Sequence, residues 1–293
     1  MELDYIRLKE IKPALSGYIR EAKYMIRPDV YPDETVVHDV RVLMKKSRAT
    51  LRLTSSQMNS EFLKREAQAL REVGRIMCPW RETSVLRKTL KELKKARPDI
   101  FLKLSDDEKI KHLLKKPEPA PELTDNLNIS LNQIADILNK TSYRIRFEQM
   151  HTLDPQLLLK ELEATYKCVV SNYLICRNNP KASNLHEFRK RSKDFLYQLW
   201  FFRPLNISVV KALEKKLDVM TQSLGKYNDL DQLLKMIGYK YNNNSNQPEL
   251  DELAIIIREA QDRYLSKVWT LAYRIFCPGQ ILVNLLGFKL LVI

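Results

Sequence analysis

Apolar residues recur every three to four positions through most of the chain, the period of a helix with one buried face. Leu8, Ile11, Leu15 and Tyr18 carry it through a first predicted helix, about 4–24, with Pro13 either kinking it or marking its start. Further helices are expected at about 34–53, 60–77 and 82–96, broken by Pro28, Pro32 and Pro79. Residues 97–128 change character: they hold Pro98, Pro117, Pro119 and Pro121, and a short helix started by a Ser105–Glu108 capping box. The helical period returns at about 130–151, 155–178, 183–202, 208–224, 230–239 and 248–276. The run 242–247 reads as a polar loop.

The expected fold class is therefore all-α: two helical bundles joined by a proline-rich linker. Residues 1–125 form the N-terminal bundle with its linker, 126–277 the C-terminal bundle, and 278–293 an apolar tail. Composition agrees. Only 6 of 293 residues are glycine, too few and too scattered for a phosphate loop or a dinucleotide fingerprint. The four cysteines form no CxxC pair, so neither a zinc site nor a disulfide framework is expected, and a reducing cytoplasm is. The charged N-terminus lacks an apolar signal-peptide core.

Charge changes the picture most. Lys and Arg number 50 against 36 Asp and Glu, a net +14, which favours a polyanionic partner if the cations converge. Two strings suggest that they do. Val37-His38-Asp39-Val40-Arg41 and Leu185-His186-Glu187-Phe188-Arg189 share the order apolar, His, acid, apolar, Arg. Each is followed by a Lys seven residues after the His, Lys45 and Lys193, and each opens a long helix six residues after a proline. The pattern points to an internal repeat. At about 100° per residue, His38, Arg41, Lys45, Arg48 and Arg52 share one helix face; His186, Arg189, Lys190, Lys193 and Tyr197 share another. Like charges so stacked repel by a few tenths of a kcal/mol per pair, about what a bound polyanion would offset.

At these residues the sequence resembles the CHAD family, the conserved histidine α-helical domain. His38, Arg41, Lys45, Lys46, Arg48 and Arg52 fit its pattern in the first half; His186, Arg189, Lys190, Lys193 and Tyr197 fit it in the second. Asp194 and Leu196 stand where the family often has cations. Leu224-Gly225-Lys226-Tyr227-Asn228-Asp229 resembles a further family stretch, read here as a helix-start cap and packing turn. The resemblance implies a pseudo-twofold pair of bundles and a basic face or central channel that binds inorganic polyphosphate, in association with polyphosphate granules. It implies no catalysis, cofactor or metal.

The alternative is a helical nucleic-acid-binding protein using the same stripes, although single-strand binders interleave exposed aromatics and only Tyr197 and Trp200 offer that. A phosphotransferase would need a carboxylate cluster for Mg²⁺, and Asp229 and Asp231 are the only tempting acids. The tail from Ile281 is too short for a membrane span, which takes ~20 apolar residues; it either packs on the second bundle or serves as an oligomerisation or interfacial anchor.

Overall fold

The computed structural model describes residues 6–27, 32–104, 108–114, 125–150, 153–238 and 248–287. These are helical nearly throughout, and no strand occurs among them. No helix among them is long and apolar enough to cross a membrane. A 3-10 turn, Leu8–Glu10, leads into α1 (Ile11–Met25). Pro13 thus lies in the first turn of α1, where its missing N–H costs nothing. Then come α2 (Glu34–Leu53), α3 (Ser60–Ile76), α4 (Pro79–Ala96), α5 (Pro98–Lys103), α6 (Glu108–Leu114) and α7 (Asp125–Phe147). The second half holds α8 (Pro155–Asn178), α9 (Ala182–Leu199), a 3-10 segment Trp200–Leu205, α10 (Ile207–Met236), α11 (Pro248–Phe276) and α12 (Leu282–Leu285). The Ser105 end of the expected capping box, His151 and the 242–247 loop lie outside the described residues.

Local chemistry sets several helix starts. The side chain of Asp33 accepts from Val36 N at 2.7 Å to cap α2. Asn59 caps α3 through Glu61 N and Phe62 N, and Asp154 caps α8 through Gln156 N with Pro155 behind it. Each satisfies a backbone donor that the first turn would otherwise leave unpaired.

Three expectations about element limits are corrected. Helix α7 begins at Asp125 rather than at about 130. Helix α4 begins at Pro79 rather than Glu82, with the proline in the first turn. The break expected between Leu224 and Leu230 does not exist: α10 runs unbroken, because it is buried along its whole length, Leu217 and Leu224 on one face in one core and Leu230 and Leu233 on the opposite face in another. Gly225, Asp229 and Asp231 are therefore helix-interior residues, not a cap.

Three apolar cores result. The first joins α1, α2, α3 and α7, with Leu15, Ile19, Val40, Leu70, Leu131 and Leu138 in contact. The second joins α8, α9, the first half of α10 and the last half of α11, around Leu162, Val169, Phe188, Phe195, Leu217 and Phe276. The third packs α4, α5 and α6 onto the far ends of α10 and α11, through Leu90, Ile100, Leu230, Leu233, Leu253 and Ile257.

The cores do not follow a division at residue 125. Helix α7 lies beyond that point, yet it closes the first core: its stripe Leu127, Leu131, Ile134, Leu138 and Ile145 is covered by α1 and α3. Conversely α4 leaves the first core and docks on α10, where Lys226 Nζ meets the Glu92 carboxylate at 2.6 Å. An apolar stripe settles on whichever face its connection can reach. The apolar tail follows the same rule. Leu282 and Leu286 are buried in the second core, and Gly287, at φ +85°, lies so close to Asn206 that a Cβ there would stand 2.8 Å from its Nδ2. Residues 288–293 lie outside the described residues.

Candidate anion-binding site

The two halves meet along α2 and α9. Gln198, fully buried, donates its Nε2 to Ala49 O at 3.0 Å, and Arg52 pairs with Asp194. Residue numbers rise along α2 as they fall along α9, so the helices run antiparallel. They touch directly at this crossing rather than across a channel, and the cations lie on the faces that flank it.

Antiparallel packing decides where the motif residues go. The crossing involves the C-terminal halves of both helices, so exposed His38 and exposed His186 sit at opposite ends of the pair. The structure does not bring them together. It does bring together Lys46 with Lys193 and Arg189, and Arg48 with Arg52 and Arg191; each group is close enough for its charges to act on one another.

Arg41 and Arg189 have corresponding tasks. Arg41 Nη1 donates to Gly74 O on α3, and Arg189 Nε donates to Thr221 O on α10 at 3.1 Å. The acceptors stand 33 and 32 residues along the chain from their arginines. Both tie a motif helix to the helix after it. Gly225 makes the second clamp possible, because a Cβ there would lie 3.2 Å from Arg189 Nη2. A family-like stretch read as a turn is instead a flat spot on a helix that admits a guanidinium.

The α9 stripe is largely neutralised. Lys190 pairs with Glu187 at 2.9 Å, and Arg191 pairs with the same carboxylate at 2.7 Å. Lys193 pairs with Asp218 of α10 at 3.0 Å. Burial, the main cause, still lowers the Lys193 pKa from its ordinary value, with Asp218 opposing. Tyr197 is partly buried beside it, its ring 5.9 Å from Lys193 Nζ, and burial pushes its phenol up to about 12.

The α2 stripe differs. Lys45 is partly buried along it, and Lys46, set to one side, lies 5.6 Å from the ring of Tyr18. Arg48 is the conspicuous member. Its Nε is buried and has no hydrogen-bond partner. Burial first, then Arg52, Arg71 and Arg191, push its pKa below the ordinary value, and only Asp194 pulls the other way. Three guanidiniums from α2 and α9, those of Arg48, Arg52 and Arg191, thus converge on the buried Asp194 carboxylate, with Arg71 of α3 acting on Arg48 and Glu187 on Arg191. A like-charge pair at ~7 Å costs on the order of 2 kcal/mol at an effective dielectric of ~20, so such a cluster favours an added anion. Guanidiniums suit phosphate because they present parallel N–H pairs to two oxygens.

Arg71 and Arg191 belong to this cluster although the stripes do not contain them. Arg191 follows Lys190 in the motif string and could have been added from the sequence; Arg71 is exposed on α3 and reaches the cluster only through the packing of α3 on α2. Asp231 pairs with Lys235 one turn along α10 at 2.7 Å. Among the described residues no group of three or more His, Cys, Asp or Glu is placed to hold a metal ion.

A groove of ≈ 610 Å³ adjoins the crossing on the Lys46 side, lined by Tyr18, Lys46, Tyr197, Trp200, Lys211 and Lys215 among others. No curated protein and no solved structure matches the chain. The model of one protein family, the CHAD domain, matches residues 14–238, which takes in both motif helices, both arginine clamps and the helix that bears Gly225. With most of its length matched, the chain belongs to the CHAD family.

Proposed function

We propose that this protein is a non-catalytic binder of inorganic polyphosphate, and that the α2–α9 crossing is its binding face. One observation carries the reading: Arg48, with a buried and unpartnered Nε, stands among Arg52, Arg71 and Arg191. A polymer with a charge on every phosphate would supply several acceptors to such a cluster at once. The remaining motif residues, His38, Arg41, Lys45, Lys46, His186, Arg189, Lys190 and Lys193, lie along the two helices beside this cluster, with Tyr197 among them, and complete the proposed face. Family membership supports the reading, since CHAD domains are associated with polyphosphate in general. The matched strings and the two arginine clamps support descent of the halves from one duplicated unit, and a pseudo-twofold relation between α2 and α9. Association with cytoplasmic polyphosphate granules follows from the same ligand.

Asp229 and Asp231 are the acids a Mg²⁺-dependent transfer would draw on, and their place inside α10 favours a binder over an enzyme. The test is competition at matched salt and charge concentration between labelled polyphosphate, tRNA and duplex DNA. A thin chain reaches guanidiniums partly buried between helices, whereas a duplex meets only the rim. Polyphosphate should bind at least ~30-fold tighter than duplex DNA, about 2 kcal/mol. Equal or tighter binding of either nucleic acid overturns the reading, and a change of polyphosphate chain length on incubation with Mg²⁺ overturns its non-catalytic part.

A further inference from the structure

The groove on the Lys46 side is one of two that share a wall. The second, of ≈ 540 Å³, lies along α1 and is lined by Gly17, Tyr18, Tyr24 and Trp200, with Arg20 and Glu21 at its rim. Tyr18 and Trp200 face both hollows. Both volumes fall in the range of small-molecule sites. Their linings differ in kind. The α1 hollow is mainly apolar and aromatic, and its rim charges cancel. The other holds Lys46, Lys211 and Lys215; the last two stand one turn apart on α10, and no acid pairs with either among the described residues. The acids of that hollow are already paired, Glu214 at 2.7 Å with Arg203, which lines it too, and Asp218 with Lys193.

The shared wall is held in place. The Arg7 guanidinium lies 4.4 Å from the centre of the Trp200 ring, and Phe201 meets the same ring edge-on at 5.0 Å. Arg7 N donates to Phe201 O at 2.9 Å and fixes the segment that carries Arg7. The α1 floor is open because position 17 has no side chain: a Cβ built there meets nothing within 4 Å. A helix-interior glycine costs about 1 kcal/mol relative to alanine, and here no packing contact requires it. Bare floor, fixed aromatic wall and adjoining lysines together match a ligand with a flat ring at one end and phosphates at the other.

We propose that this double groove is a site for a nucleoside polyphosphate, its base against Tyr18 and Trp200 over Gly17 and its phosphates toward Lys46, Lys211 and Lys215. The ring contributes stacking on aromatic faces, and the lysines contribute point-charge contacts to the phosphates. The site shares Lys46 with the polyphosphate face but does not rest on that reading, since the base recognises something polyphosphate lacks.

The experiment compares ATP with inorganic tripolyphosphate, both without Mg²⁺, on the full chain. Tripolyphosphate carries the higher charge, so a merely basic surface prefers it. The expected result is ATP at least ~10-fold tighter. Gly17→Met should fill the floor, reduce the ratio to within ~2-fold, leave the thermal midpoint unchanged or higher, and leave long-chain polyphosphate binding intact. Equal affinities in the unaltered protein, a preference that survives Gly17→Met, or tighter binding of oligoadenylate than of ATP would each overturn the proposal. A protein that prefers ATP but ignores long-chain polyphosphate would sustain this site and defeat the polyphosphate reading.

Discussion

Helices α2 and α9 open with nearly the same string, yet the structure treats their cations differently. On α9, Lys190 and Arg191 share Glu187, and Lys193 is held by Asp218 from α10. On α2, Arg52 is held by Asp194, while Arg48 keeps a buried Nε with no partner and gathers Arg71 and Arg191 around it. A count of basic residues separates the two stripes only slightly, five on α2 against four on α9 with each histidine included. Free positive potential separates them more, because Glu187 of α9 itself and Asp218 of α10 quench the α9 side. The α2 side is therefore the stronger anion receptor, and the α9 side is closer to a set of structural ties.

The largest effect should come from removing the α2 cluster. Arg48→Ala with Arg71→Ala is expected to weaken polyphosphate binding by at least ~30-fold, about 2 kcal/mol. Lys190→Ala with Lys193→Ala should cost less than ~3-fold. Titration of fluorescent polyphosphate at fixed salt reads both. Equal losses would break the comparison. The salt dependence sharpens it. By analogy with the counterion-release law for duplex DNA, where log K falls with log salt by ~0.9 per neutralised phosphate, the α2 double variant should flatten the slope by about 2 and the α9 variant by less than about 1.

Asp194 gives the next effect, in the opposite direction. It is 8% exposed and competes with any incoming anion for Arg52, Arg48 and Arg191. Asp194→Asn should tighten polyphosphate binding about 5-fold at pH 7, and unchanged or weaker binding by the folded variant would show that Asp194 does not compete. Burial, the main cause, raises its carboxyl pKa above the ordinary value despite those arginines. A raised folded-state pKa means that the folded protein holds the proton more tightly than the unfolded chain. The stabilising contribution is then present below the unfolded pKa, near 3.9, and is lost as pH rises through the folded one. Binding by the unaltered protein should accordingly strengthen as pH falls from 7 toward the carboxylate range. The advantage of Asp194→Asn should shrink over the same interval.

The smallest effect on affinity is expected at the α9 clamp. Gly225→Leu puts side-chain atoms where the Arg189 guanidinium lies and should detach it from Thr221 O. Thermal unfolding should show a lower midpoint, while polyphosphate affinity changes less than ~3-fold. A large loss of affinity with an unchanged midpoint would make Arg189 a ligand contact rather than a tie.

What could be read along the chain was whatever depends on neighbours in sequence. The limits of α2, α8 and α11 follow from apolar period, capping residues and prolines, all acting within a turn or two. The paired motif strings, and with them the family, were equally legible. The continuity of α10 was not, because Gly225 and Asn228-Asp229 are local turn signals that burial on both sides of them, in two different cores, outweighs. Nor was the home of α7, whose apolar stripe would fit either bundle. The site divides along the same line. Stripe membership of Arg52 or Lys193 follows from helix geometry alone. Whether each is free depends on Asp218, 25 residues from Lys193, and on Asp194, 142 residues from Arg52. Chain order says nothing of such distances, and only the packing of α9 against α2 and α10 determines which charges meet and which stay open.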